Sequence, residues 1–440
     1  MSIARTLSPY MMAALTSATL RDLQRTATEL GRRVRFAPHR IAYFHQVDDP
    51  YSHLAAQTLE PLCERYDIEL EPHLAAAPDD DAAPDRARLE AFARKDAGDI
   101  APAYGLSFPA GASAPDPALS RAVAATLAAA PASAFARRAV HLGTALWAGD
   151  GQRIAALGER YGRVSDEEAA ATERAGSARR RDAGHYLGAT FAYGGEWYWG
   201  PDRLHYLEAR LRQLGAVRPT APAEPIVPTP ATQSGGRRQG DATVVVEAFL
   251  SLRSPYSHLA TARVLALPRR HAIELRLRPV LPMVMRGLQV PLAKRLYIVR
   301  DAKREADRLG LAFGHISDPV GEPVERAYAL YPWARDHGRG GELLHSFTTA
   351  AFAEGIDTGT DDGLRHVVER AGLSWSEAQA HRADSAWRDE LEDNRRAMLD
   401  MGLWGVPSFR VSGGDRAPFA TWGQDRLWLV EREITARSAA

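Results

Sequence analysis

The sequence predicts an α/β protein made of two tandem copies of one domain, each a central mixed sheet with a helical insertion. Three observations carry this. The hexapeptide Pro50-Tyr51-Ser52-His53-Leu54-Ala55 returns unchanged as Pro255-Tyr256-Ser257-His258-Leu259-Ala260. Each hexapeptide follows a short apolar strand pattern and leads into a helix and a charge-alternating strand. A proline-rich stretch separates the two halves, as expected of repeated domains on a linker.

Taken in order, Arg40-Ile41-Ala42-Tyr43-Phe44 and 243–249 read as the first strands of the two copies. Residues 52–65 and 257–270 then read as helices. Ile68-Glu69-Leu70-Glu71-Pro72 and Ile273-Glu274-Leu275-Arg276-Leu277-Arg278-Pro279 follow, with a period of two that buries one face of a strand. A strand–helix–strand unit implies parallel pairing through a right-handed crossover. The copies also close alike, with Trp199-Gly200-Pro201-Asp202-Arg203-Leu204 matching Trp422-Gly423-Gln424-Asp425-Arg426-Leu427, each opening a final helix. The expected organisation is a helical extension over 1–39, a first domain over 40–216, a linker over 217–242 and a second domain over 243–436. A helical insertion over about 283–390 is expected within the second domain.

Bulk properties narrow the function. A chain of 440 residues is too long for one ordinary domain, and 45% apolar with 25% charged residues is globular composition. Lysines plus arginines number 55 and so do aspartates plus glutamates, so no net field recruits nucleic acid or an anionic membrane. No run approaches 18 apolar residues, and no membrane span is expected. The mildly apolar start is broken by Ser8, Pro9, Thr16, Ser17 and Thr19; it reads as an amphipathic helix packed on the first domain of a cytoplasmic protein. Cys63 is the only cysteine, which excludes an internal disulfide, a Cys-x-x-Cys redox pair and a thiolate zinc site. Its setting in a helical stretch predicts a buried structural thiol.

The chemistry is expected at the second hexapeptide. Pro255 suits a first helical position, which makes Ser254 the N-cap, with its hydroxyl at the positive end of a helix. An anion, including a thiolate, is stabilised there, although capping alone explains a serine equally well. Gly405-Val406-Pro407-Ser408 precedes the strand-like Phe409-Arg410-Val411. A proline there suits a cis turn that frees the Val406 backbone for an extended ligand, or a plain trans turn.

Together these residues resemble 2-hydroxychromene-2-carboxylate isomerases and kappa-class glutathione transferases, a DsbA-type branch of the thioredoxin fold. The resemblance spans 244–434 and includes Pro279-Val280-Leu281 and Lys294-Arg295-Leu296-Tyr297 with Asp301. It implies two tandem thioredoxin-like domains, with glutathione as cofactor and no metal. It places a sulfur-stabilising, catalytic role on Ser254 and glutathione-binding roles on Val406, Pro407, Gln424, Asp425 and Lys294. The implied activity is a glutathione-dependent isomerisation or transfer on a small hydrophobic or aromatic electrophile, with the bound thiolate as nucleophile.

The first copy departs from this pattern. Asp49 stands opposite Ser254, and Gly188-Ala189-Thr190 is set against Gly405-Val406-Pro407, so the proline is gone. A decayed copy retained as half of an intramolecular pseudo-dimer is one reading, and a second acid/base site of His45, Asp48 and Asp49 the other. A dithiol oxidoreductase is disfavoured, since serines and an aspartate occupy the positions its cysteines need. The non-enzymatic rival is a binding or scaffold protein with vestigial sites. Tyr297, Tyr328, Tyr331, Trp333 and Phe347 in the insertion suit either an aromatic substrate's roof or a helical core.

Overall fold

The computed structural model describes residues 3–230 and 244–438. Its residues group into two compact units, one comprising Leu23–Pro230 with Pro291–Lys294, the other Met1–Asp22, Ala231–Val290 and Arg295–Ala440 so far as they are described. The expected linker residues 231–242, including Gly235-Gly236-Arg237-Arg238, lie outside the described residues.

Two helices open the chain, α1 (Ile3–Leu15) and α2 (Ala18–Val34). The first sheet is built from β1 (Arg40–His45), β2 (Glu69–Leu74), β3 (Thr190–Tyr193) and β4 (Glu196–Trp199) in the order β2-β1-β3-β4. β1 runs parallel to β2 and antiparallel to β3, and β4 is antiparallel to β3. α3 (Pro50–Ala56) and α4 (Leu59–Arg65) cross from β1 to β2. The long middle is helical: α5 (Arg86–Ile100), α6 (Pro117–Ala128), α7 (Ala132–Trp147), α8 (Gly151–Tyr161) and α9 (Asp166–Asp182), with α10 (Leu204–Gln213) after β4.

The second sheet repeats the plan in strand order and direction, β6-β5-β7-β8, from β5 (Val245–Leu250), β6 (Glu274–Pro279), β7 (Ser408–Ser412) and β8 (Phe419–Trp422). α11 (Pro255–Leu265) and α12 (Leu267–Arg270) form its crossover. The insertion holds α13 (Leu292–Leu309), α14 (Glu322–Asp336), α15 (Gly340–Thr349), α16 (Asp361–Arg370), α17 (Trp375–Ala378) and α18 (Trp387–Asp400), and α19 (Leu427–Ser438) closes the chain.

Three expectations change, and of the two readings of the insertion aromatics the core reading holds for four of them. Each crossover is two helices instead of one, because Pro61 and Pro268 lack the N–H that a continuous helix needs near the break. Cys63 is half-buried instead of buried; burial pushes its thiol pKa up, which leaves it a poor nucleophile. The insertion aromatics Tyr328, Tyr331, Trp333 and Phe347 are buried in the apolar core of their unit. The opening stretch does not pack on the first domain: α1 belongs to the unit of the second sheet, where Met12 lies against the apolar core and the Thr16 hydroxyl donates to the Gly314 carbonyl at 3.3 Å. None of the α2 side chains is fully buried, and its leucines face outward.

The first stretch of the expected linker is tied down. Val217 pairs with Tyr66, the Ile226 N–H donates to Glu208 at 3.0 Å, and Val227 is buried.

One polar residue sits at the centre of the second sheet. Glu247, fully buried in mid-β5, accepts from Arg278 on β6 at 2.6 Å and is ion-paired with Arg410 on β7. A buried charge is tolerated only when so partnered, and removing one partner leaves the others unsatisfied. Glu247→Ala is therefore expected to cost about 2 kcal/mol in urea unfolding, with Glu247→Gln costing less because it retains one acceptor.

Candidate functional site

The chemistry-bearing turn of each copy joins the central strand to the helix that opens with the repeated hexapeptide. Ser254 and Asp49 cap these helices with nearly the same backbone, φ −96° and ψ 117° for the serine and φ −96° and ψ 120° for the aspartate. The two side chains therefore occupy one structural position with different chemistry.

The hexapeptide holds this turn in the same way twice. The Ser52 hydroxyl accepts the Gln46 N–H at 3.1 Å, and the Ser257 hydroxyl accepts the Ser251 N–H at 3.1 Å. Tyr51 donates to Asp96 at 2.8 Å and Tyr256 to Asp301 at 2.8 Å. His53 packs on Phe108 and His258 on Phe313, with ring centroids 6.2 and 6.1 Å apart. Every one of these pairs is displaced by 205 residues, so the repeat runs without a gap from β1 through Phe108. Gly105-Leu106-Ser107-Phe108 against Gly310-Leu311-Ala312-Phe313 is the sequence signal that marks this longer repeat.

In the second copy the Ser254 hydroxyl accepts the Ser257 N–H at 3.1 Å and lies 3.4 Å from the Val406 carbonyl. The Val406–Pro407 peptide bond is cis. Gly405 makes this approach feasible, since a Cβ there would run into the Trp422 indole. Ser254 thus meets the backbone of the turn that leads into β7, at the N-terminus of an 11-residue helix whose dipole favours negative charge. Beside it Arg253 makes a bidentate pair with Asp318, both bonds 2.7 Å.

The other expected ligands divide. Asp425 is partly exposed, 3.6 Å from Arg426. Gln424 is buried and committed: it donates to Glu305 at 2.7 Å and accepts from Arg263 at 2.8 Å. These bonds fix the turn in which Asp425 is the next residue. Glu305 and Arg263 were not singled out by sequence reading, because neither lies in a motif. Lys294 is not gathered with these residues. Its ammonium donates to the Ala82 carbonyl at 2.8 Å, within the unit that holds the first sheet.

Residues 245–435 match the family model of the DSBA-like thioredoxin domain. They form a DsbA-like thioredoxin domain. Solved structures similar to the chain include a 2-hydroxychromene-2-carboxylate isomerase at 20% identity, with a TM-score of 0.37 over 44% of this chain and 95% of that one. The cytosolic disulfide reductase DsbM from Pseudomonas aeruginosa is 22% identical, with a TM-score of 0.35 over 44% and 98%. A probable DsbA oxidoreductase from Streptomyces coelicolor is also 22% identical, with a TM-score of 0.35 over 44% and 90%. No curated protein matches the sequence. At the turn where DsbA-type redox chemistry would need a cysteine pair, this DsbA-like domain carries Ser254 and Ser257.

Sheet register corrects the alignment of the first copy. Phe44 faces Thr190 as Phe249 faces Ser408, and the N–H groups of Gly200 and Gly423 bond the carbonyls of Ala189 and Pro407. Ala189, not Thr190, therefore stands where the DsbA-like domain has Pro407, and Gly188 where it has Val406. Unlike a proline, Ala189 has an N–H, which donates to the Ser52 hydroxyl at 2.8 Å. Gly188 lies so close to Gln46 and Ser52 that a Cβ would come within 2.7 and 2.9 Å of them.

Asp49 accepts from the Ser52 hydroxyl at 2.7 Å and from the Ser52 and Tyr51 N–H groups at 2.9 and 3.2 Å. Burial nevertheless outweighs these bonds and pushes its carboxyl pKa up from 3.8 to about 6. Burial drives the neighbouring His45 down to about 3, so it stays neutral and is withdrawn from acid/base work. Because Asp49 is harder to ionise folded than unfolded, it lowers stability as pH rises from about 4 to 6, and the loss persists above. Asp49→Asn is expected to be about 1–3 kcal/mol more stable than wild type at pH 7, the gap closing below pH 4. Denaturant unfolding across that range tests this, and parallel curves would contradict it.

Proposed function

We propose that the DsbA-like domain binds reduced glutathione at Ser254 and catalyses a glutathione-dependent isomerisation or transfer on a small, hydrophobic or aromatic electrophile. The observation that carries this is a serine hydroxyl, not a thiol, at the helix N-terminus, 3.4 Å from the Val406 carbonyl before a cis proline. The donor set fits the ligand: a hydroxyl and helix N–H groups for a thiolate, a peptide edge for the cysteinyl unit, and the Asp425 carboxylate for the γ-glutamyl amine.

Glutathione, when bound, supplies the sulfur nucleophile that this turn lacks. Ser254 would turn its hydroxyl from the distant Val406 carbonyl towards the sulfur, and with the dipole of α11 hold it as an anion. Val406 would orient the peptide, and the Glu305–Gln424–Arg263 network would hold Asp425 in place. Whether the sulfur departs after rotation about the attacked carbon–carbon bond, or stays on the product, separates isomerase from transferase. A cytoplasmic location, where glutathione is kept reduced, goes with this reading.

We read the first unit as a degenerate copy of the same domain, on its matching strand order and its gapless repeat. A carboxylate at Asp49 would repel a thiolate, and no proline edge faces it.

Calorimetric titration of the full chain with reduced glutathione is expected to show one site per chain. Asp425→Asn should weaken it about tenfold by removing a charge-assisted bond. Ser254→Ala should leave affinity within about threefold but raise the pKa of the bound thiol, read from its ultraviolet thiolate band. A wild type that does not bind would overturn the proposal.

A further inference from the structure

Helix α2 is inside out. Three of its charged side chains are turned in: Arg25 forks onto Glu196 at 2.6 and 2.8 Å, and Arg32 bonds the Ala37 carbonyl at 2.6 Å and Glu29 at 2.7 Å. Its apolar side chains face outward, with Leu20, Leu23, Leu30 and Val34 being 40, 61, 62 and 70% exposed and Ala27 exposed among them. An amphipathic helix ordinarily buries its apolar stripe, so this one is presented to a partner.

The spacing of the stripe says which partner. Leu20, Leu23, Ala27, Leu30 and Val34 repeat at three and four residues, forming one seam about 21 Å long. The seam is nearly palindromic about Ala27, with two large residues on each side of one small one. A second copy laid antiparallel sets Leu20 against the partner's Val34 and Leu23 against the partner's Leu30, with Ala27 at the two-fold where the helices approach most closely. Charge is compatible: Asp22, paired with Arg21 at 3.2 Å, and Arg33, paired with Glu29 at 2.7 Å, lie three turns apart on one flank and stay 60 and 64% exposed, so an antiparallel mate sets each beside its opposite charge on the partner. A parallel mate would crowd the two Arg33–Arg35 ends instead.

A lipid surface fits less well. Helices that lie on membranes place free arginines beside the apolar face to meet headgroups, whereas Arg25 and Arg32 point away and are paired, the flanking Arg33 is engaged by Glu29 at 2.7 Å, and Thr19, Gln24, Thr26 and Gly31 line the rest of the stripe.

We propose that the protein is a homodimer formed by antiparallel packing of α2 on α2 across Ala27. Sedimentation equilibrium of the full chain at micromolar concentration should give twice the chain mass, and Leu23→Glu with Leu30→Glu should return it to a monomer with unchanged circular dichroism, both positions being exposed. In a Cys63→Ser background, Ala27→Cys should cross-link to its partner under mild oxidation and Val34→Cys should not. A monomeric wild type, a doubly substituted dimer, or cross-linking by Val34→Cys would each overturn the proposal. Monomers that co-sediment with anionic phospholipid vesicles would overturn it in favour of a membrane surface.

Discussion

The junction where a central strand ends and a helix begins governs both halves of this protein, and one serine hydroxyl fastens it. Ser52 and Ser257 each sit at the third position of the hexapeptide and accept the N–H of the residue that leaves the strand, at 3.1 Å in both copies. That N–H would otherwise be buried without a partner, a costly state, so the turn has little freedom to relax. The tyrosine before the serine ties the helix to α5 or α13 through an aspartate, the histidine after it packs on a phenylalanine, and the leucine and alanine that follow are wholly buried. Each of the six residues has a structural task. This explains why the hexapeptide is identical in two copies whose sites have diverged.

The proposed function turns on the residue before the hexapeptide, where the backbone is the same but the side chain differs. A serine there donates a hydroxyl at the positive end of a helix, close to the Val406 carbonyl. An aspartate there accepts three hydrogen bonds and is still disfavoured as an anion, since desolvation exceeds what those bonds return. The divergence extends behind the site. By the 205-residue spacing Glu305 and Arg263 correspond to Ile100 and Thr58, and by the closing motif Gln424 corresponds to Pro201. The polar network around Gln424 thus has no counterpart at those positions in the first unit.

Buried charge recurs in the second unit, always with its partners close. Glu247 is spanned by two arginines from neighbouring strands, and Glu305 by Arg308 and Gln424. Such groups specify register, because sliding a strand by one residue would strand the charge on the wrong face. Helix α2 follows the opposite logic, directing three of its charges into the protein and its leucines to solvent.

By itself the sequence determined the duplicated α/β plan, the strand–helix–strand openings, the special position of Ser254, the nearness of a proline turn before β7, and the lack of a cysteine pair. All of these depend on neighbours in the chain: strand and helix periodicities, capping chemistry, and an exact hexapeptide repeat. Tertiary structure alone decided the rest, because it turns on residues far apart in sequence. It set Ser254 beside Val406, 152 residues on. It withdrew Gln424 into a buried network and placed Lys294 against Ala82, when by motif both had seemed equal to Asp425. It shifted the first copy's register by one residue, since only the sheet shows that Phe44 faces Thr190. It also turned the amphipathic helix outward, as periodicity reveals that a helix has two faces but not which one the protein will meet.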